Sequence, residues 1–225
     1  MPATGRTKTV LCTFMDIAAE EEPGFKDWYN REHMRDRILG LPGFVRGRRY
    51  INVSPGPKYF AFYEAEDKYI LQSPDYLKLV TNPDPASRHY ITRFKNAIRT
   101  VARVSGSLGE AEGTALAVIP FSPSSQEEEG LRSHLLEQAA PFLMQQPGII
   151  ACQLLERDET LSASASGQHV RRGDRTLDWA LLVEGNDVED LRDAVSKAGS
   201  MLGSVSTAPL AGVTYLRQLY RVSPN

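Results

Sequence analysis

One order of elements is written twice in this chain, and that repetition restricts the fold more than any other feature. Pro42-Gly43-Phe44 returns as Pro147-Gly148-Ile149, an offset of 105 residues that also carries Leu11 onto Leu116. In the first copy, residues 9–15 are an apolar, Thr-containing run of strand character. The stretch EEEPGFKDWYNREHMRDRILGL, residues 20–41, reads as a helix. Glu20, Glu21 and Glu22 suit its N-terminal dipole end, and Phe25, Trp28, Met34, Ile38 and Leu41 give it an apolar stripe. Leu41-Pro42-Gly43 stops it, because proline cannot continue a helix and glycine accepts left-handed dihedrals. Strands are expected over 45–53 and 59–65, joined by the turn Ser54-Pro55-Gly56-Pro57. A mainly helical stretch follows over 67–95, broken near Asn82-Pro83-Asp84-Pro85, and 98–104 is a closing strand.

The second copy keeps the order. Strands fall over 114–121, 149–156, 178–184 and 213–221, with helices over 127–146 and 187–202. Each copy is β-α-β-β-α-β, a ferredoxin-like unit. The fold class is therefore α+β, with two tandem ferredoxin-like units packed sheet to sheet as an internally dimeric α+β barrel. The units span 1–107 and 112–225, with a short linker over 106–113. A long Ser-, Gly-, Arg- and Asp-rich hairpin loop over 157–176 distinguishes the second unit. Each sheet has one face covered by its own helices and needs cover on the other. The space between the two sheets is then the expected ligand cavity.

Composition excludes several classes. The chain of 225 residues has 26 basic and 28 acidic side chains, a net charge of −2 that lacks the footprint of a nucleic-acid binder. No run approaches the roughly 18 apolar residues of a membrane span, so no membrane partner is expected. The N-terminal residues lack the pattern of a signal peptide, and a cytoplasmic location is the expectation. Cys12 and Cys152 lie in apolar runs and read as buried free thiols.

The most distinctive stretch is Trp28-Tyr29-Asn30-Arg31-Glu32-His33, followed by LPGFVRGRRY. Tyr29, His33 and Arg37 follow at four-residue spacing and share a helix face. A half-buried histidine has a tunable proton near neutrality, and a tyrosine can anchor a hydrogen bond. The pair suits proton transfer next to a carbonyl; the alternative is a histidine that only bonds a neighbouring carbonyl, with Trp28 and Tyr29 as packing. On the strands, Arg46, Arg48, Tyr50 and Asn52 alternate onto one face, with Arg49 and Ile51 on the other. Tyr59, Ala61 and Tyr63 share a face. An arginine fork suits a carboxylate, so a face carrying Arg48, Tyr50, Tyr59 or Tyr63 can hold an anionic or phenolic ligand.

The run WYNREHMRDRILGLPGFVRGRRY, with KYFAFYEAED downstream, resembles the EthD-like branch of the dimeric α+β barrel superfamily. The resemblance covers the first half; the second half follows it only in pattern. It implies paired ferredoxin-like units. It also implies chemistry drawn from cofactor-free isomerases, cyclases, decarboxylases and monooxygenases, from haem proteins, or from members without activity. In similar isomerases a histidine on the first helix lies in the pocket and handles protons, and His33 is the matching position. With the 105-residue offset, Ser133, His134 and Gln138 stand opposite Trp28, Tyr29 and His33, so the second half lacks the signature.

The resulting expectation is a cofactor-free isomerase, lyase or cyclase acting on a small molecule in the barrel cavity. His33 and Tyr29 are its catalytic candidates, and Trp28, Arg37, Arg48, Tyr50 and Tyr63 its substrate-binding ones. The alternatives are a non-catalytic small-molecule-binding accessory protein and a haem or cofactor-free oxygenase. No cofactor is expected; haem on His89 and a metal at Glu32, His33 and Asp36 are the weaker readings. His169 with Arg171, Arg172 and Arg175 reads as a solvated loop or a lid. A small-molecule ligand is the expected partner and a homodimer the expected further assembly.

Overall fold

The computed structural model describes residues 8–164, 173–203, 205–207 and 209–224. Its strands are β1 (Thr9–Asp16), β2 (Phe44–Asn52), β3 (Tyr59–Ala65), β4 (Lys95–Leu108), β5 (Ala115–Phe121), β6 (Ile149–Arg157), β7 (Trp179–Gly185) and β8 (Thr214–Val222). Helix α1 spans residues 22–38, α2 is Pro74–Thr81 and α3 is Pro85–Ile91. In the second half, α4 spans 128–144, α5 is Glu159–Ser164, α6 is Val188–Lys197 and α7 is Gly199–Leu202.

The eight strands close into one antiparallel barrel in the order β1-β3-β2-β8-β5-β7-β6-β4. Each half supplies the ferredoxin-like order 4-1-3-2. The halves meet where β2 pairs with β8 and where β4 pairs with β6. Strand β4 is longer than its sequence signal. Residues 95–103 pair with β1, and residues 102–108 run on to pair with β6. The first residues of the expected linker are therefore the seam between the halves.

The two long helices share a feature that fixes the true repeat. In α1 the residues Tyr29–His33 form a π-turn, with the Met34 N–H bonded to the Tyr29 carbonyl. In α4 the π-turn is Leu135–Ala139. The offset through β1 and α1 is thus 106 residues and becomes 105 only after the helix ends, because the second connection is one residue shorter. This corrects the pairing read from sequence. Trp28, Tyr29 and His33 correspond to His134, Leu135 and Ala139, and Leu11 corresponds to Ala117. Gly43 and Gly148 follow both helices with φ of 85° and 76°, conformations that favour glycine.

The space between the sheets carries a buried core. Val10, Phe14, Phe60, Phe62, Leu116 and Leu182 belong to a buried cluster there. Arg48 lies inside the same barrel, fully buried, and donates to both oxygens of Glu184 at 2.8 and 2.9 Å. These side chains occupy part of the space in which the sequence reading expects a cavity. A second cluster lies under α1, α2 and α3, around Phe25, Trp28, Tyr29, Met34 and Tyr76. A third lies under α4 and α6.

The hairpin after β6 opens with α5 rather than with loop. Arg175 is bridged to Ile98 and exchanges backbone hydrogen bonds with β4, so it lies along the barrel instead of in a solvated loop. His169, Arg171 and Arg172 lie outside the described residues.

Candidate functional site

The cleft that collects the distinctive residues lies on the helix side of the first-half sheet. It encloses about 650 Å³, open space at its mouth included. Tyr29, His33 and Arg37 of α1 line it, with Thr13 of β1 and Tyr63 of β3. Its open side carries the half-exposed Leu79, Val80, Ile91, Phe94 and Arg99.

Helix α1 reaches this position for local reasons. Its stripe residues Phe25, Trp28, Met34 and Ile38 are all buried against the sheet. It sits close to β2 at Gly47, where a Cβ would meet Ile38 Cγ1 at 2.9 Å and Met34 at 3.0 Å. The π-turn admits one extra residue per turn, a distortion found often at functional sites. Here it recurs in the second half, where Leu135 and Ala139 are apolar and packed in the core. The π-turn is thus part of the scaffold, and side-chain chemistry on it is confined to the first half.

His33 is 6% exposed, and its ring stacks near Trp28 at 4.3 Å and Tyr29 at 4.7 Å between centroids. Arg37 Nη1 lies 3.2 Å from His33 Nδ1 and donates to the His33 carbonyl at 2.8 Å. A guanidinium has only donors, so Nδ1 accepts and Nε2 carries the ring proton. Burial, then the charges of Arg37 and Arg49, holds this imidazole well below the usual 6.5. His33 is therefore neutral at physiological pH and presents a donor.

The Tyr63 hydroxyl donates to Tyr29 Oη at 3.0 Å. Burial, followed by the proximity of Tyr29, pushes the Tyr63 phenol well above its ordinary value. Behind Tyr29 lies Arg49, which is 2% exposed. Its guanidinium carbon sits over the rings of Tyr29 at 4.3 Å, Phe25 at 5.2 Å and Tyr59 at 5.5 Å. Arg49 Nη1 donates to Asn30 Oδ1, while Nη2 is buried without a hydrogen-bond partner.

The remaining residues marked from sequence fall elsewhere. Arg48 and Tyr50 occupy the opposite face of β2, inside the barrel, and do not line the cleft. The sequence could not say which strand face turned toward the helices. Trp28 backs His33 and stacks with Tyr90 at 4.8 Å without lining the cleft. His89 is exposed, lies 2.7 Å from Glu21 and does not line this cleft. Among the described residues no cluster of three or more His, Cys, Asp or Glu side chains could hold a metal. Arg49, Arg99, Thr13 and Tyr76 were not marked. One signal was available for Arg49: adjacent strand residues face opposite ways, so one of Arg48 and Arg49 had to face the helices.

No protein-family model matches the chain, and no curated protein matches it significantly. Solved structures do. An anthrone oxidase-like protein superposes with a TM-score of 0.67 at 13% identity, covering 99% of this chain and 95% of that one. A protein of Fusobacterium nucleatum described as a candidate monooxygenase gives 0.59 at 11% identity, covering 97% and 95%. Another so described, from Lactobacillus acidophilus, gives 0.58 at 10% identity, covering 97% of each chain. These likenesses span both halves. The chain has the dimeric α+β barrel fold within a single polypeptide, consistent with the EthD-like resemblance of its first half.

Proposed function

We propose that the first-half cleft is the active site of a cofactor-free enzyme that stabilises an enolate or phenolate oxygen on a small aromatic compound. The observation that carries this reading is the contact of Arg37 with His33 Nδ1, which fixes a neutral Nε2–H donor in a buried, largely apolar cleft. A donor aimed where negative charge develops is worth far more in such surroundings than in water.

The role differs from proton abstraction. A second proton on His33 would have to enter at Nδ1, against Arg37. His33 acts instead as the hydrogen-bond donor to oxygen, and the proton leaving carbon passes to water. Return of a proton to another carbon of the stabilised anion completes an isomerisation. The likeness to an anthrone oxidase-like protein and to two candidate monooxygenases supports a second outcome, in which dioxygen takes electrons from the same anion.

Anthrone incubated with the protein in D2O without air tests the shared step. Deuterium should enter the methylene group faster than in buffer. His33→Gln, which keeps a donor, should retain part of the acceleration, and His33→Ala should lose about 10²–10³-fold. Admitting air then separates the outcomes by oxygen uptake. Equal rates for wild type and His33→Ala across a panel of enolisable aromatic ketones would overturn the reading.

A further inference from the structure

The cleft holds more positive charge than the protein itself neutralises. Arg37 and Arg49 are both buried, and neither has a carboxylate oxygen within 4 Å among the described residues. Arg99 on the open side has no ion pair among the described residues either. Among the described residues no Asp or Glu lines the cleft, although the chain carries 28 acidic side chains. Glu22 meets the aromatic cage at Tyr59. It is already held by Lys26 at 2.8 Å and Lys58 at 2.8 Å.

The contrast with other buried arginines is internal to the molecule. Arg48 is equally buried and has Glu184. Glu156, buried in the second half, is held by Arg103 and Arg132. Among the described residues, the buried guanidinium ions left to aromatic rings, an imidazole, an amide and a backbone carbonyl are those at the cleft. A buried charge without a partner is costly, and rings offset only part of that cost. Arg49 Nη2 has no hydrogen-bond partner, as Arg48 Nε has none, but Arg48 has its carboxylate.

We infer that the cleft binds its ligand as an anion, with Arg37 and Arg49 supplying the countercharge and the Tyr, Phe and Leu walls taking a planar aromatic body. Arg37 lines the cleft and meets the ligand's charged end directly. Arg49 acts through the ring of Tyr29 and is a positioning and charge-setting residue. The inference rests on reading this cleft as the substrate site, and it extends that reading from a charge that develops during reaction to one present on binding. Carboxylate and phenolate oxygens share this chemistry.

Equilibrium binding to the full chain tests it without any turnover. The probes are benzoate against benzamide, and 4-nitrophenolate against nitrobenzene, by calorimetry and by the phenolate absorbance. At least one anion should bind about tenfold or more tightly than its neutral partner. Which one does separates carboxylate from phenolate ligands. A bound nitrophenol should also titrate about one unit or more below the free compound. Arg37→Gln and Arg49→Gln should each erode the preference, and Arg49→Lys should restore part of it, with circular dichroism checking the fold. Neutral probes binding as tightly as the anions, or a preference that survives both glutamine variants in folded protein, would overturn the inference. Anion selection without deuterium exchange would uphold it while removing the catalytic reading.

Discussion

Arg37 Nη1 lies 3.2 Å from Nδ1 of His33, a contact that a guanidinium makes only as the donor. The same arginine bonds the His33 carbonyl, so the guanidinium is held across one turn of α1. The sequence reading saw a residue pair at helical spacing. The structure shows the two side chains in contact on the wall of a cleft.

That contact predicts a pH dependence of stability. His33 is held well below 6.5 by burial, then by Arg37 and Arg49. The unfolded chain therefore binds a proton as pH falls through 6.5 while the folded chain does not. Stability from this site is complete above that pH and is lost as pH falls below it. One proton corresponds to about 1.4 kcal/mol per pH unit. Urea unfolding as pH falls below 6.5 should show this slope, reduced by about that amount in His33→Gln.

The hydroxyl pair makes a separate prediction. Tyr63→Phe removes the 3.0 Å bond to Tyr29 inside the protein and should cost about 1 kcal/mol of stability. The variant should bind the anionic probes several-fold less tightly, since it loosens the tyrosine that stands between Arg49 and the cleft. Chemical denaturation and calorimetry give the two values.

The seam between the halves rests on a different pair. Glu184 accepts from Arg48 and from the Gly113 N–H at 2.9 Å, tying the start of the second half to β2 of the first. Glu184→Ala should cost about 3–5 kcal/mol, because it strands a buried guanidinium. The double variant Arg48→Met, Glu184→Leu should recover most of that loss. Guanidinium chloride midpoints check both.

Acid should strike the second half through Glu156. Burial works against its charge, but hydrogen bonds from Arg132 and Arg103 prevail and bring its pKa down to about 2. The folded value lies below the unfolded one. The contribution is therefore present above about 4.5 and is lost as pH falls toward about 2. Arg132→Met should flatten that part of the acid-unfolding curve.

Most of the architecture was legible because it rests on local signals. Strand β3 was bounded from its sequence at 59–65, and the PG stops marked both helix ends. The two ferredoxin-like units followed from seeing the pattern twice. What was not legible depended on tertiary geometry. The π-turns and the one-residue-shorter connection shift the repeat from 105 to 106 through the helices, which periodicity does not register. The face of β2 that turns inward depends on closure of the barrel, so Arg48 was marked for the cleft and Arg49 passed over. Tyr76 and Arg99 join the cleft from α2 and β4 and carry no local signature.

The most direct test is a nitrogen-15 NMR titration of His33, assigned by comparison with His33→Gln, with and without 4-nitrophenolate. The account predicts a neutral ring with its proton on Nε2 through the pH range in which a free histidine titrates, and an Nε2–H resonance that moves when the phenolate binds. A ring that titrates near 6.5, or a resonance unmoved by a saturating probe, would contradict it.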